Sequence, residues 1–518
     1  MLRHIASVGG LTLVSRILGF VRDVLTAALL GAGPVADAFF VAFRLPNHFR
    51  ALFAEGAFNS AFVPQFSGLL VREGRLAAQR FAEQVLAFAL PVQVALLVGA
   101  LAGMPWLLHV LAPGFTDDPG KFALAVEFTR ITFPYLLFIT LVSLLGGALN
   151  SLNRFAAAAA APILLNLCFI AALLGLTPLL PTAGHALAWG VFAAGIAQFL
   201  YLAWEARRAG LSLALGLPRM TPGVRRFLLV LGPAVLGAGL TQISLFVDTL
   251  IATFLPTGAV SYLYYADRLN QLPLGVIGVA VGTVLLPQLS RQLGAGDGAA
   301  ASDSQNRALE YVLVLTLPAV IAFLVVAGPI LDALFRRGAF TAADAAATAD
   351  VLRAYAVGLP AFVLIKCLIP GFFARSDTAT PVKIAGVAVA VNVALKVALM
   401  APLGPVGLAL ATSAAAWVNC GLLAFILWRR RHFVPDRRLK RKLPRMLVAA
   451  AGMAAALFAA NAWLASLAGG RSGLAGDLSA LAALGLLVLA GAAAYGLLAF
   501  ATGLFRLSEV KGLMRRRA

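Results

Sequence analysis

Apolar runs of about twenty residues recur along the whole chain, and a helix of that length spans about 30 Å of hydrocarbon. Hydrophobic residues make up 61% of the sequence and charged residues 12%, a balance that soluble globular proteins do not have. The pattern predicts an all-α polytopic membrane protein with about fourteen transmembrane helices. The predicted segments are, in order, Val8–Leu30, Val35–Phe66, Phe81–Leu111, Phe122–Leu149, Ala157–Leu180, Ala186–Ala206, Phe227–Leu255, Val260–Leu289, Ala308–Leu334, Val351–Phe373, Val382–Met400, Val406–Trp428, Leu447–Leu467 and Leu478–Ala501.

The net charge of +20 would suit a nucleic-acid-binding protein only if the basic residues gathered on a soluble face. Instead, most of the 41 Lys and Arg residues fall in loops and tails on the side of the N-terminus, with a dense group from Arg429 to Arg445. This positive-inside bias predicts cytoplasmic N- and C-termini and contact with anionic membrane lipid, not with nucleic acid. The first segment has no small-residue cleavage site, so we expect it to remain in the mature protein.

Two stretches of the chain repeat each other at an offset of about 225 residues. The matching pairs are Phe20–Asp23 with Phe246–Asp248, Arg44–Leu45 with Arg268–Leu269, Val63–Ser67 with Leu286–Ser290, Leu90–Pro91 with Leu317–Pro318, Pro134 with Pro360, and Asn166 with Asn392. The repeat predicts two pseudo-symmetric six-helix lobes around a central cavity, residues 1–215 and 216–432. Residues 433–518 then form a basic loop, two added transmembrane helices and a cytoplasmic tail.

Two facing bundles can open a central cavity first to one side and then to the other, which is alternating access. The sequence has no phosphate-binding loop of the GxxxxGK[ST] type, so we expect no nucleotide cofactor and suspect that the membrane potential is the driving force. The five histidines show no metal-ligand spacing, and no metal site is predicted. No set of acids, or of a histidine with an acid, gathers at one membrane face, which argues against an enzyme.

Charged residues inside spanning segments are costly, by about 2.5–3.5 kcal/mol each on insertion scales, and therefore point to function. They concentrate in the first two segments and in segment 8. The cations are Arg16, Arg22, Arg44, Arg50 and Arg268, and the acids, with cavity or gating roles, are Asp23, Asp37, Glu55 and Asp267. Mutual pairing, such as that of Arg16 with Asp23, would explain part of this set.

The arginines outnumber the acids, so we expect one or more guanidinium groups to bind an outside anion. A guanidinium binds phosphate oxygens in a bidentate manner, and Arg16, Arg22 and Arg50 of one lobe with Arg268 of the other could hold a pyrophosphate. Pro46 is expected to break segment 2 beside this cavity.

A second group of polar residues, Asp248, Asn392, Lys396 and Thr412, lies in segments 7, 11 and 12. Acid, amide and hydroxyl oxygens would suit a small hard cation such as sodium. Lys396 follows Asn392 by one helical turn and would act as a tethered cation that neutralises Asp248. The group is therefore predicted to be the remnant of a cation site in a sodium-independent transporter. The alternative is that Lys396 extends to the outer interface near Met400.

The stretches Ser15–Asp23, Ala36–Asn47, Phe53–Phe58, Ala148–Phe155 and Pro370–Phe373 closely resemble the MurJ (MviN) family of lipid II flippases, and the likeness covers essentially the whole chain. The resemblance implies the fold of the multidrug/oligosaccharidyl-lipid/polysaccharide (MOP) exporter superfamily in the bacterial cytoplasmic membrane. It implies that lipid II, undecaprenyl-pyrophosphate carrying a disaccharide-pentapeptide, is flipped for peptidoglycan synthesis, with other cell-wall synthesis proteins as candidate partners. The family's cavity positions correspond to Arg16, Arg22, Asp37, Arg50, Glu55 and Arg268.

Two other functions stay open on the sequence. A related exporter of drugs or cations would need a cavity rich in carboxylates, which the surplus of arginine argues against. An exporter of another polyprenyl-linked oligosaccharide would share the pyrophosphate chemistry. Either exporter is distinguished from a lipid II flippase by what crosses the membrane. The second alternative, a membrane-embedded transferase, would convert the precursor chemically and would need a catalytic set at one membrane face, which the sequence lacks.

Overall fold

The computed structural model describes residues 2–50, 57–467 and 474–504, and every regular element within these ranges is a helix. The first ten are α1 (Leu2–Leu30), α2 (Pro34–Arg50), α3 (Ala57–Arg72), α4 (Arg75–Ala102), α5 (Met104–Leu111), α6 (Pro119–Thr132), α7 (Tyr135–Ser151), α8 (Phe155–Leu176), α9 (Ala183–Arg208) and α10 (Pro222–Thr253). The others are α11 (Ala259–Pro273), α12 (Val279–Gly294), α13 (Gly298–Val325), α14 (Ala327–Phe335), α15 (Ala342–Phe373), α16 (Ala379–Arg429), α17 (Arg437–Leu467) and α18 (Leu474–Ala501).

The chain divides into two compact units. Unit 1 comprises Met1–Ser261 with Arg337–Phe340, and unit 2 comprises Tyr262–Arg336 with Thr341–Ala518. This division groups helices by contact, whereas the boundary expected between residues 215 and 216 follows the sequence repeat. The assignment of α10 to the second lobe therefore stays a prediction.

Nine helical stretches of the described residues are long and apolar enough to cross a membrane. They comprise one stretch for each of segments 3–6, 9, 10, 13 and 14, and one, α16, for segments 11 and 12 together. The described residues of segments 1, 2, 7 and 8 are helical too, and these segments carry most of the charged residues singled out above. The all-α prediction is confirmed.

Proline and glycine decide where these helices bend. Segment 4 is interrupted at Phe133 and Pro134, between α6 and α7. In α16 the bend lies at Gly404, whose φ of 53° is open to glycine at little cost and whose neighbours Pro402 and Pro405 weaken the helix. The expected break at Pro46 was wrong, because α2 continues through Pro46 to Arg50. A membrane helix tolerates such a proline when neighbouring groups satisfy the freed carbonyl.

Small residues bring neighbouring helices into close contact, as is common between membrane helices. A Cβ on Gly190 of α9 would lie 2.9 Å from the Cβ of Ala172 on α8. A Cβ on Gly358 of α15 would lie 2.5 Å from the hydroxyl of Ser413 on α16. Larger residues at either position would push the helices apart.

A buried carboxylate joins α13 to the beginning of α17. Glu310, 2% exposed, accepts hydrogen bonds from Arg438 at 3.1 and 3.2 Å and from Lys442 at 2.5 Å, and it also pairs with Arg307. Arg307 pairs in addition with Asp436. This group, the Glu310 cluster, fixes the basic first turns of α17 against α13.

Candidate substrate site

Arg22 of α1 is held rigidly within unit 1. Its Nε and Nη2 donate to Oδ1 of Asp23 at 3.1 and 2.7 Å, and its Nη1 donates to Oδ1 of Asn166 on α8 at 3.0 Å. The amide of Asn166 in turn donates to the carbonyl oxygen of Ser15 at 2.9 Å, and the guanidinium lies 5.2 Å from the ring centre of Phe169. Arg22 and Asp23 are 8% and 5% exposed. We call these residues the Arg22 cluster, in which α8 fixes the orientation of a cation on α1.

The other predicted arginines of unit 1 have separate surroundings. Arg44 donates from Nη1 to the hydroxyl of Thr249 on α10 at 2.9 Å. Arg50 donates from Nε to Oδ1 of Asn47 at 3.0 Å, and it lines a cavity of about 170 Å³. Arg16 has an exposed side chain on α1. The structure thus brings Arg22 into a buried network and leaves Arg50 at a cavity wall.

The cavity beside Arg50 is polar along one side. Its lining includes the side chains of Asn59, Tyr135, Ser143, Asn150 and Gln198 from α3, α7 and α9. Gln198 donates to the carbonyl oxygen of Ala161 at 2.8 Å and lies 3.2 Å from the hydroxyl of Tyr135, so this wall is internally hydrogen-bonded. A guanidinium and several amide groups at one surface can bind oxygen-rich ligands.

Asp37 of α2 caps the beginning of α11. Its carboxylate accepts from the backbone N–H of Gly258 at 2.7 Å, from the N–H of Ser261 at 2.9 Å and from the hydroxyl of Ser261 at 2.6 Å. The carboxylate is 1% exposed and satisfies donors that the first turn of a helix leaves open. Asp37 belongs to the first copy of the repeat and Ser261 to the second, so the contact links the two copies.

A buried lysine near this cap was not among the site residues predicted from the sequence. Lys121 of α6 is 5% exposed, donates from Nζ to the hydroxyl of Thr257 at 3.1 Å and lies 4.6 Å from the ring centre of Phe115. Thr257 immediately precedes Gly258, which Asp37 caps. The one available signal was an isolated lysine at the beginning of a predicted span, a position where extension to solvent is the usual expectation.

The predicted residues of unit 2 occupy two helices, α11 and α16. Arg268 of α11 lies 4.7 Å from the ring centre of Tyr264, and Asp267 accepts a hydrogen bond from Gln271. Asn392 and Lys396 of α16 are 6% and 3% exposed, and Thr412 donates to the carbonyl oxygen of Leu408 at 2.9 Å. Asp248 is half-buried on α10, in unit 1. Glu55 lies outside the described residues.

A family model described as "Lipid II flippase MurJ" matches residues 26–469. This chain belongs to the MurJ family. A MurJ relative from Rhizobium meliloti (strain 1021), named "Probable lipid II flippase MurJ", is 48% identical over 472 residues, 90% of this chain and 88% of the relative. Another so named, from Rhizobium tropici, is 43% identical over 524 residues, 100% of this chain and 97% of the relative.

Solved structures share the fold. One titled "Lipid II flippase MurJ, inward closed conformation" matches with a TM-score of 0.77 at 24% identity, covering 96% of this chain and 99% of that chain. A structure titled as an inward-facing multidrug resistance MATE family transporter of the MOP superfamily matches with a TM-score of 0.65 at 16% identity, covering 83% and 96%. The predicted MOP fold is confirmed, and membership of the MurJ family confirms a multi-pass membrane transporter, not an enzyme.

Proposed function

We propose that this chain flips lipid II from the inner to the outer leaflet of the bacterial cytoplasmic membrane. The observation that carries the proposal is the match to the lipid II flippase family over residues 26–469, together with relatives of that name at 48% and 43% identity. Both chain termini are cytoplasmic in this proposal, following the positive-inside rule. Lipid II is the partner proposed, with membrane lipids and other cell-wall synthesis proteins as further partners.

The arginines supply the chemistry that a pyrophosphate needs. A guanidinium keeps its charge in a partly dry cavity and binds two phosphate oxygens at once. Arg50 stands at a cavity wall, where a ligand can reach it. Arg22 is fixed by Asp23 and Asn166, so little side-chain entropy remains to be lost when a ligand binds. Arg16 and Arg268 complete the predicted set. Arg44 is proposed to contribute least to ligand binding, because its guanidinium already donates to Thr249.

The Asp37 cap is the contact that alternating access would have to release. It joins the first turn of α2 to the first turn of α11, and these turns belong to different copies of the repeat. Beside it, the N–H of Ala339 donates to the carbonyl oxygen of Ala28 at the end of α1 at 2.7 Å. In our proposal these bonds hold one state of the transport cycle, while Asp23, Asp267 and Glu55 contribute to the cavity or its gates.

Energy coupling is proposed to use the membrane potential and not sodium. Moving one charge through 100 mV is worth about 2.3 kcal/mol, which favours outward movement of an anionic head group. The remnant cation site of Asp248, Asn392, Lys396 and Thr412 would keep a tethered ammonium in place of the ion. Transport in proteoliposomes should slow when valinomycin collapses the potential and should be equal in sodium and choline buffers. A transport rate that does not change with the potential would contradict coupling to the membrane potential. A requirement for sodium would contradict the sodium-independent cation-site remnant.

The experiment that tests the function is transfer of labelled lipid II by the purified protein in proteoliposomes. We expect exposure of the label on the opposite leaflet, without chemical conversion, and competition by soluble pyrophosphate for binding. Parallel samples with a cationic dye and with another polyprenyl-pyrophosphate oligosaccharide test the two other exporter functions. Transfer of either of these in preference to lipid II would overturn the proposal.

A further inference from the structure

The segment between α9 and α10 has no regular secondary structure and is hydrogen-bonded to α4 at several points. The side chain of Gln79 donates to the carbonyl oxygen of Ser212 at 2.6 Å, and the N–H of Ala214 donates to Glu83 at 3.2 Å. Further along, the hydroxyl of Thr221 donates to Gln84 at 2.7 Å. This segment, residues 209–221, is called the linker below, since it joins the two copies of the repeat.

The linker forms one wall of a cavity of about 200 Å³, the linker cavity. Apart from Arg207, every lining residue is apolar, and they come from α4, α7, α9 and the linker. The linker contributes Leu211, Leu213 and Leu215, and the opposite walls include Leu90, Leu141 and Leu144. An apolar cavity of about 150 Å³ already stays dry and accepts a small hydrocarbon, so this one suits an apolar ligand.

Two smaller cavities lie beside the linker cavity along α4. A narrow cavity of about 10 Å³ shares Leu86, Leu90, Leu141 and Leu144 with the linker cavity. It shares Phe58, Ala89 and Thr140 with a third cavity of about 120 Å³, which lies between α3, α4 and α10. Thr140 is the one polar residue that lines the third cavity, so this cavity and the linker cavity both have mostly apolar linings.

The mouth of the linker cavity is basic. Arg207 lines it, and the guanidinium of Arg75 lies 3.2 Å from the position of a Cβ on Gly210, whose N–H donates to the carbonyl oxygen of Arg207 at 2.8 Å. Both arginine side chains are exposed, and within the described residues neither pairs with a carboxylate. Glu205, the nearby acid, pairs instead with Arg154 and Arg208. The mouth therefore has two guanidinium groups available to a phosphate.

We propose that the linker cavity binds one acyl chain of an anionic phospholipid, whose headgroup phosphate is held by Arg207 and Arg75. The basic ends of α4 and α9 face the inner leaflet in the proposed orientation, where such headgroups are found. The lipid would pack against the linker itself. The site is separate from the cavity beside Arg50 and does not depend on what the protein transports.

The test uses the full chain in phosphatidylcholine vesicles containing a small fraction of phosphatidylglycerol with a diazirine on its acyl chain. After irradiation, mass spectrometry should locate adducts on the linker and on the facing residues of α4 and α7. Leu213→Trp should fill the cavity and abolish these adducts, and Leu141→Trp should do the same from the opposite wall. Leu217→Trp, on the same linker at a residue that is 80% exposed and outside the cavity, should leave them unchanged.

The headgroup is tested with the same diazirine chain on phosphatidylcholine. We expect weaker labelling than with phosphatidylglycerol, and Arg207→Gln with Arg75→Gln should remove the difference. Unchanged adducts in both tryptophan variants, with thermal unfolding matched to the unmodified protein, would overturn the site. Stronger labelling by a diazirine polyprenyl phosphate than by phosphatidylglycerol would overturn the phospholipid as its occupant.

Discussion

The Arg22 cluster of unit 1 and the Glu310 cluster of unit 2 are both buried, and each joins helices far apart in sequence. In the first, one guanidinium has one carboxylate and one amide. In the second, one carboxylate has three basic partners. The first sits among residues that the family resemblance marks as cavity positions, whereas the second ties a basic stretch to α13. We therefore expect a functional role for the first cluster, which stays a prediction, and an anchoring role for the second.

The largest effect should come from breaking the Glu310 cluster. Glu310→Gln leaves Arg307, Arg438 and Lys442 around a neutral amide, and we expect the free energy of unfolding to fall by about 3 kcal/mol. Denaturant unfolding of the purified protein in detergent measures this. The flipping rate per folded molecule should be unchanged.

Asp303→Asn is the matched control on the same helix. Asp303 pairs with Arg307 at 3.5 Å, but its side chain is 67% exposed, so the expected loss is below about 1 kcal/mol. Equal losses for the two variants would show that burial does not set the strength of this cluster.

Loosening the Arg22 cluster should affect both stability and transport. Asn166→Leu removes an acceptor from Arg22 and a donor from the carbonyl oxygen of Ser15, and we expect a loss of about 1–3 kcal/mol. Because the guanidinium loses its link to α8, the flipping rate should fall as well. Leu167→Ala, at an exposed neighbour on α8, serves as the control for both measurements. If Asn166→Leu lowers stability but leaves transport at the unmodified rate, then Arg22 is an anchor between helices, as Glu310 is.

Replacing the guanidinium of Arg268 by an ammonium tests whether a positive charge alone is enough for transport. Arg268→Lys keeps the charge but loses the bidentate fork, so lipid II transport should fall by about tenfold, equivalent to about 1.4 kcal/mol. Arg336→Lys, at an exposed arginine outside the predicted cavity, should have no effect. Full transport by Arg268→Lys at normal membrane levels would remove Arg268 from the site.

The smallest effect is expected from a third group, which lies at the surface beside α16. Hydrogen bonds from the amide and hydroxyl of Thr380 and from Arg430 lower the pKa of Asp377 to about 2. Burial, with the charges of Arg375 and Arg430, lowers the pKa of His432. Both groups bind fewer protons in the folded protein than in the unfolded chain, so stability should fall with decreasing pH.

Two stages are expected in a plot of melting temperature against pH. The first begins below 6.5, the ordinary pKa of His432, and the second runs from 3.8 towards about 2 for Asp377. His432→Gln should remove the first stage alone. A melting temperature that rises as the pH falls through 6.5 would contradict the assignment.

Much of the fold followed from the sequence because hydrocarbon leaves the chain few choices. A spanning segment must satisfy its backbone hydrogen bonds internally, so an apolar run of sufficient length becomes a helix. The repeat is a property of the sequence, whereas the π-helical turn Leu274–Gly278, which interrupts segment 8 between α11 and α12, is seen only in the structure. The path of α2 through Pro46 was missed, because neighbouring groups and not the local sequence decide whether a proline ends a membrane helix.

By itself the sequence determined the helical class, the repeat and the set of charged residues whose insertion into a membrane is costly. Each of these follows from composition and spacing. Only the tertiary structure decided which charges meet. Asn166 is 144 positions from Arg22, and Lys442 is 132 positions from Glu310, so no local pattern joins them. Lys121 and the cap of α11 by Asp37 were likewise hidden, since a cap from another helix depends on packing and leaves no periodic signal in either segment.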